Sequence, residues 1–90
     1  MKPGPPKPSY SRLPWLALDL VAGLMTRESA RHEDGPPGSE GWRTMSVDAY
    51  IDAALRHLSA YRRGERDEAH LVHAAADLLI AAELWATRRP

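Results

Sequence analysis

Ninety residues carry 12 basic and 12 acidic side chains, a formal net charge of zero, so the bulk electrostatics favour neither nucleic acid nor an anionic membrane as a partner. The absence of cysteine excludes disulfides, thiolate metal sites and cysteine nucleophiles. The length allows one domain, no apolar run approaches the roughly 20 residues that span a bilayer, and the basic N-terminus leads into no long apolar stretch, so a cytoplasmic protein with no membrane partner is expected.

Residues 1–11 hold four prolines and both lysines. Each proline removes a backbone donor, and Tyr10 is the segment's one sizeable apolar group, so a disordered or polyproline-like tail is expected ahead of a single domain over 12–88. Helix 1 is predicted to open between Ser11, a capping residue, and Pro14, whose missing N–H is tolerated in a first turn. Leu13, Leu16, Leu20, Val21 and Leu24 recur at three- and four-residue spacing, and the pattern runs to about Ala30 or Arg31.

A Gly/Pro loop follows, over about 33–45. Gly35, Pro36, Pro37, Gly38 and Gly41 argue against helix in this stretch. Trp42 at its end either packs the loop back onto the helices or offers a flat face to a ligand base.

Helix 2 starts at Ser46, a good N-cap, with Asp48 complementing the dipole in the first turn. Val47, Tyr50, Ile51, Ala54, Leu55, Leu58 and Tyr61 form its apolar stripe. Arg62, Arg63 and Gly64 are stop signals. Helix 3 is predicted to begin near Asp67. Its body, HLVHAAADLLIAAELWA, is apolar nearly all round, as in a helix buried on more than one side. Setting the tail and loop aside leaves roughly 65 residues to pack, a marginal core without a metal or partner. The fold class is therefore all-α: a three-helix unit that completes a helical bundle by homo-oligomerisation.

The residues able to do chemistry lie on helices 2 and 3. His70, His73 and Asp77 are spaced i, i+3, i+7 and share one helical face, spanning about 10 Å along the axis. That is too far for one ion to take all three easily. Either neighbouring pair can hold a metal, with the remaining ligands from helix 2, where Asp52 lies, or from another subunit. The short turn makes helices 2 and 3 antiparallel and sets His57 opposite His73, with Arg56 and Asp77 close by. Such a cluster binds phosphate, positions a metal or moves a proton near neutral pH. A mixed His/carboxylate shell suits Zn, Mn, Fe or Ni; a carboxylate-rich one suits Mg. Against this stand plainer readings: core histidines held by hydrogen bonds, and Asp52 with Arg56 as an i, i+4 ion pair. Asp77, flanked by alanines and leucines, would be costly to bury without a partner.

The segments ALRHL (54–58), RGE (63–65), HLVHAAADLL (70–79) and AAEL (81–84), with Ala30-Arg31-His32 and Gly41-Trp42-Arg43 upstream, resemble the small phage and prophage family of dATP/dGTP diphosphohydrolase-type proteins. Asp77 stands where many relatives have Asn. The resemblance implies an all-helical hydrolase, similar in general idea to MazG-like pyrophosphatases, cleaving a purine deoxynucleoside triphosphate to monophosphate and pyrophosphate. It implies phosphate contacts from Arg31 and Arg56, and Trp42 near the base. It also implies a metal and acid/base centre of His57, His70, His73 and Asp77, with Asp52 a further candidate ligand. The cofactor expected is a divalent metal, Mg or Mn before Zn. The alternative is a non-enzymatic phage module that binds a nucleotide or a protein partner.

Overall fold

The computed structural model describes residues 4–89. Three α-helices account for most of them: α1, Trp15–Arg31; α2, Val47–Arg62; and α3, His70–Thr87. Two short 3-10 helices, Tyr10–Arg12 and Gly41–Thr44, precede α1 and α2. No strand forms among the described residues. Residues 4–9 carry no regular element, and the first three residues of the Pro-rich tail lie outside the described residues.

The chain turns where its local chemistry directs. The Ser46 hydroxyl accepts the Ala49 N–H at 3.1 Å, which caps α2. At the other end Gly64 adopts φ 87°, a left-handed conformation that costs glycine nothing. This lets Gly64 N–H reach the Tyr61 carbonyl and Glu65 N–H reach the Ala60 carbonyl, at 3.0 and 3.1 Å. Two otherwise orphaned carbonyls are satisfied in a Schellman arrangement. α3 then runs back along α2, its principal partner, while α1 packs less extensively on α3.

α1 ends in the same way at a less favourable residue. Glu33 takes φ 55°, Glu33 N–H bonds the Ala30 carbonyl, and Asp34 N–H bonds the Ser29 carbonyl at 2.9 Å. This closure turns the loop back across the molecule and brings Asp34 over the end of α1.

Three local expectations are corrected. Ser11 does not cap α1: it lies inside the Tyr10–Arg12 turn, Pro14 occupies the cap position and Trp15 opens the helix. α3 starts at His70 rather than near Asp67: Ala69 occupies the cap position, and the Asp67 carboxylate bonds the His70 ring at 2.8 Å. The Gly/Pro loop is not free of helix, since its last residues coil into Gly41–Thr44.

The core is thin. The buried apolar residues are Val21, Leu24, Ala54, Ala60, Ala74, Ala76, Ile80, Ala81 and Leu84, so more than half of them are alanine. α3 faces inward with Ala74, Ala76, Ile80, Ala81 and Leu84. Its outer side leaves Leu71, Leu78, Leu79 and Trp85 about half exposed. Within one chain, therefore, α3 is covered on one side only, although its sequence is apolar all round.

Candidate functional site

A cleft of about 530 Å³ opens between α1, the loop and the inner face of α3. Its apolar surface comes from Leu24 and Met25 of α1, Met45 of the loop, and Ala76 and Ile80 of α3. Trp42 and Tyr50 add two aromatic walls. The polar lining is Glu28, Ser29, His32, Asp34, His73 and Asp77, with no Lys or Arg among the described residues. Trp42 is the informative member. Its indole Nε1 is buried and has no hydrogen-bond partner among the described residues, a donor that costs free energy unless something accepts from it. The Arg43 guanidinium covers the indole at 4.3 Å from the ring centroid.

Beside the cleft the α2–α3 hairpin gathers three imidazoles. The His57 ring stacks on His73 with centroids 4.7 Å apart and lies 5.2 Å from His70. His57 Nδ1 and His70 Nδ1 are 2.9 Å apart, and His70 Nε2 is 2.8 Å from Asp67 Oδ1. On its other side, His57 Nε2 is 4.0 Å from Asp77 Oδ2. His73 and Asp77 belong to both the cluster and the cleft wall, so the two features are continuous.

The carboxyl groups are differentiated by their surroundings. Burial pushes the Asp77 carboxyl above its ordinary range, against the opposing pull of His57, His73 and Arg56. Burial also raises the Tyr50 hydroxyl, reinforced by the negative charges of Asp77 and Asp34. Glu28 is held low by its hydrogen bond from Arg31, and Asp67 by its bond to His70.

His57, His73 and Asp77 are thus brought together, with His70 behind them. Trp42 reaches the cleft. Arg56 is exposed and acts on Asp77 through its charge alone. Arg31 is also exposed, pairs with Glu28 at 2.6 Å and does not line the cleft. Asp52 is exposed, lines neither feature and has no ion pair with Arg56 among the described residues. Glu68, Glu28, Asp34 and Tyr50 join the site without having been singled out from sequence. The signal for Glu68 was its place next to the turn that faces His57 and His73. Asp34 gave none, since its placement depends on how α1 ends.

Two groups among the described residues have metal-ligand spacing. One ligand atom each from His57, Glu68 and His73 lie within 4.8 Å of one another, as do atoms of Glu65, Asp67 and His70. In the second group Glu65 already pairs with Arg63 at 2.6 Å and both carboxylates are exposed, so the first is the better built. No helix among the described residues is long and apolar enough to cross a membrane.

An all-α unit with an aromatic cleft, an orphaned indole donor and an adjoining histidine–carboxylate cluster has the makings of a small-molecule-binding helical domain. The chain belongs to the family described as dATP/dGTP diphosphohydrolase, N-terminal, which matches residues 1–89. No curated protein matches it, and no solved structure does.

Proposed function

We propose that the chain binds a purine deoxynucleoside triphosphate and hydrolyses it to monophosphate and pyrophosphate. The observation that carries this reading is the continuity of the Trp42 cleft with the His57–His73–Asp77 cluster in a chain of this family. The cleft suits a base: flat aromatic walls, and carboxylates that accept from amino groups. It does not suit a bare triphosphate, because Glu28, Asp34 and Asp77 line it and no Lys or Arg among the described residues does. The phosphates therefore extend outward past His73, toward the hairpin cluster and Arg56.

Water attacks the α-phosphorus, the bond from that phosphorus to the α,β-bridging oxygen breaks, and pyrophosphate leaves. Asp77 takes the proton from the water. Burial raises its pKa, which makes it a stronger base than an exposed carboxylate. His57, Glu68 and His73 have the spacing to hold a divalent metal, which when bound would supply charge neutralisation.

The functional unit is a homo-oligomer in this reading. Leu71, Ala75, Leu78, Ala82 and Trp85 are all exposed and follow a four-three spacing along α3. The stripe is nearly palindromic about Leu78. A two-fold antiparallel pairing of two α3 helices sets Leu78 on Leu78, Ala75 on Ala82 and Leu71 on Trp85, as an isologous interface requires. The alanine-rich core supports the need for such a second copy.

The test is turnover of all four deoxynucleoside triphosphates with Mg, Mn or Zn, reading pyrophosphate separately from phosphate. Pyrophosphate release from dATP or dGTP, reduced at least about tenfold by Trp42→Ala through KM, is expected. Nucleotide binding without turnover under any ion would contradict hydrolysis and leave a binding module.

A further inference from the structure

Glu68 Oε1 faces three imidazole nitrogens at once: His57 Nδ1 at 3.4 Å, His70 Nδ1 at 3.6 Å and His73 Nε2 at 3.9 Å. All three separations exceed the roughly 2.7–3.2 Å of an N–H···O hydrogen bond. The His73 ring has no hydrogen-bond partner among the described residues. Three rings and a carboxylate have been drawn together with one ring–ring hydrogen bond to show for it.

The spacing matches something else. Tetrahedral zinc takes nitrogen and oxygen ligands at about 2.0–2.2 Å, which puts neighbouring ligand atoms about 3.3–3.6 Å apart. His57 Nδ1, His70 Nδ1 and Glu68 Oε1 form a triangle with edges of 2.9, 3.4 and 3.6 Å; His73 Nε2 lies 3.9 Å from Glu68 Oε1 and shares metal-ligand spacing with His57 and Glu68. We propose that His57, His70, His73 and Glu68 bind one divalent ion of the zinc type.

The surroundings fit a ligand role. His70 is buried, and Asp67 lies 2.8 Å from its Nε2. A carboxylate there keeps the proton on Nε2 and turns the Nδ1 lone pair into the cluster, the usual support of a metal-bound histidine. His57 has a carboxylate behind it too, with Asp77 near its Nε2. His57 and His73 are about a quarter exposed and Glu68 about half, so an ion has a path from solvent. Binding replaces the one proton held between the two Nδ1 atoms and needs that contact to open by a few tenths of an ångström, about the difference from a zinc ligand edge.

Three nitrogens and one oxygen favour zinc over magnesium, which prefers oxygen ligands and octahedral geometry. This set differs from the one expected from sequence: Glu68 is a ligand, Asp77 stands behind His57, and Asp52 takes no part. The ion's place in catalysis rests on the hydrolase reading. Its binding does not.

The experiment is titration of the full chain, stripped with a chelator and free of nucleotide, with zinc, cobalt and magnesium. One zinc per chain, no competition by millimolar magnesium (about a thousandfold excess over a micromolar Kd), and the intense visible spectrum of tetrahedral cobalt are expected. Glu68→Gln should weaken zinc binding at least about tenfold with unchanged circular dichroism; being half exposed, it tests the site without testing the fold. Asp67→Asn should weaken binding about 10- to 100-fold while the cobalt spectrum keeps its shape. Absence of zinc binding, a weak octahedral cobalt spectrum, equal preference for magnesium, or full affinity in Glu68→Gln would each overturn the site. Zinc binding without turnover would defeat the hydrolase reading alone, and magnesium-driven turnover without zinc binding would defeat this one alone.

Discussion

His57 and His70 face each other through their Nδ1 atoms, 2.9 Å apart. With both rings neutral, one must donate and the other accept. Asp67, kept ionised by its bond to His70, can only accept, so His70 carries its proton on Nε2 and accepts at Nδ1. His57 then donates from Nδ1, and its Nε2 lone pair turns toward Asp77. The tautomers of both rings follow from one exposed carboxylate at the start of the hairpin's return.

His70→Ala breaks both of these bonds and empties a buried position. A loss of about 2–4 kcal/mol is expected, from the abandoned partners and the cavity together. His73→Ala should cost under about 1 kcal/mol, since its ring makes no hydrogen bond. Urea unfolding of the metal-free proteins checks the contrast, and equal costs would contradict it.

Burial raises the Asp77 pKa above its value in the unfolded chain. The folded state then holds this proton more tightly, and ionisation costs stability. That cost is absent below the unfolded value, about 3.9, and complete once the pH passes the raised value. Asp77→Asn should accordingly melt above the wild type at neutral pH in chelator, with the gap closing on acidification. A variant that melts lower at neutral pH would mean that the imidazoles outweigh desolvation.

Glu33 is the one described non-glycine residue with positive φ. The left-handed region costs a residue with a side chain roughly 1–2 kcal/mol, partly returned by the greater freedom of glycine in the unfolded chain. Glu33→Gly is expected to stabilise the protein by about 0.5–1 kcal/mol and to leave nucleotide affinity unchanged. Thermal melts read the first and calorimetry the second. A destabilised variant would mean the Glu33 side chain matters more than its backbone.

Leu78→Arg puts two charges on the axis of the proposed α3 pairing. Light scattering should show the wild type as a dimer and this variant as a monomer, with α-helical content retained. A monomeric wild type at high concentration would remove the pairing.

Much of this was readable in the residues. Ser46 and Gly64 marked the ends of α2, and a short antiparallel turn was enough to set His57 against His73. What could not be read depended on side chains competing for partners. Asp67 marked the start of helix 3 in the sequence but bonds an imidazole ahead of it, and Ser11 was taken up by a turn ahead of Pro14. Glu68 was not singled out, yet its carboxylate points back into the histidines. The cleft was hidden altogether, because Asp34 and Trp42 meet α3 only after Glu33 has bent the loop over α1.

The most direct single measurement is hydrolysis of dGTP in water labelled with heavy oxygen, followed by mass spectrometry of both products. Attack at the α-phosphorus predicts the label in the monophosphate and none in pyrophosphate. Label in pyrophosphate or inorganic phosphate, or no hydrolysis with any divalent ion, would contradict the account.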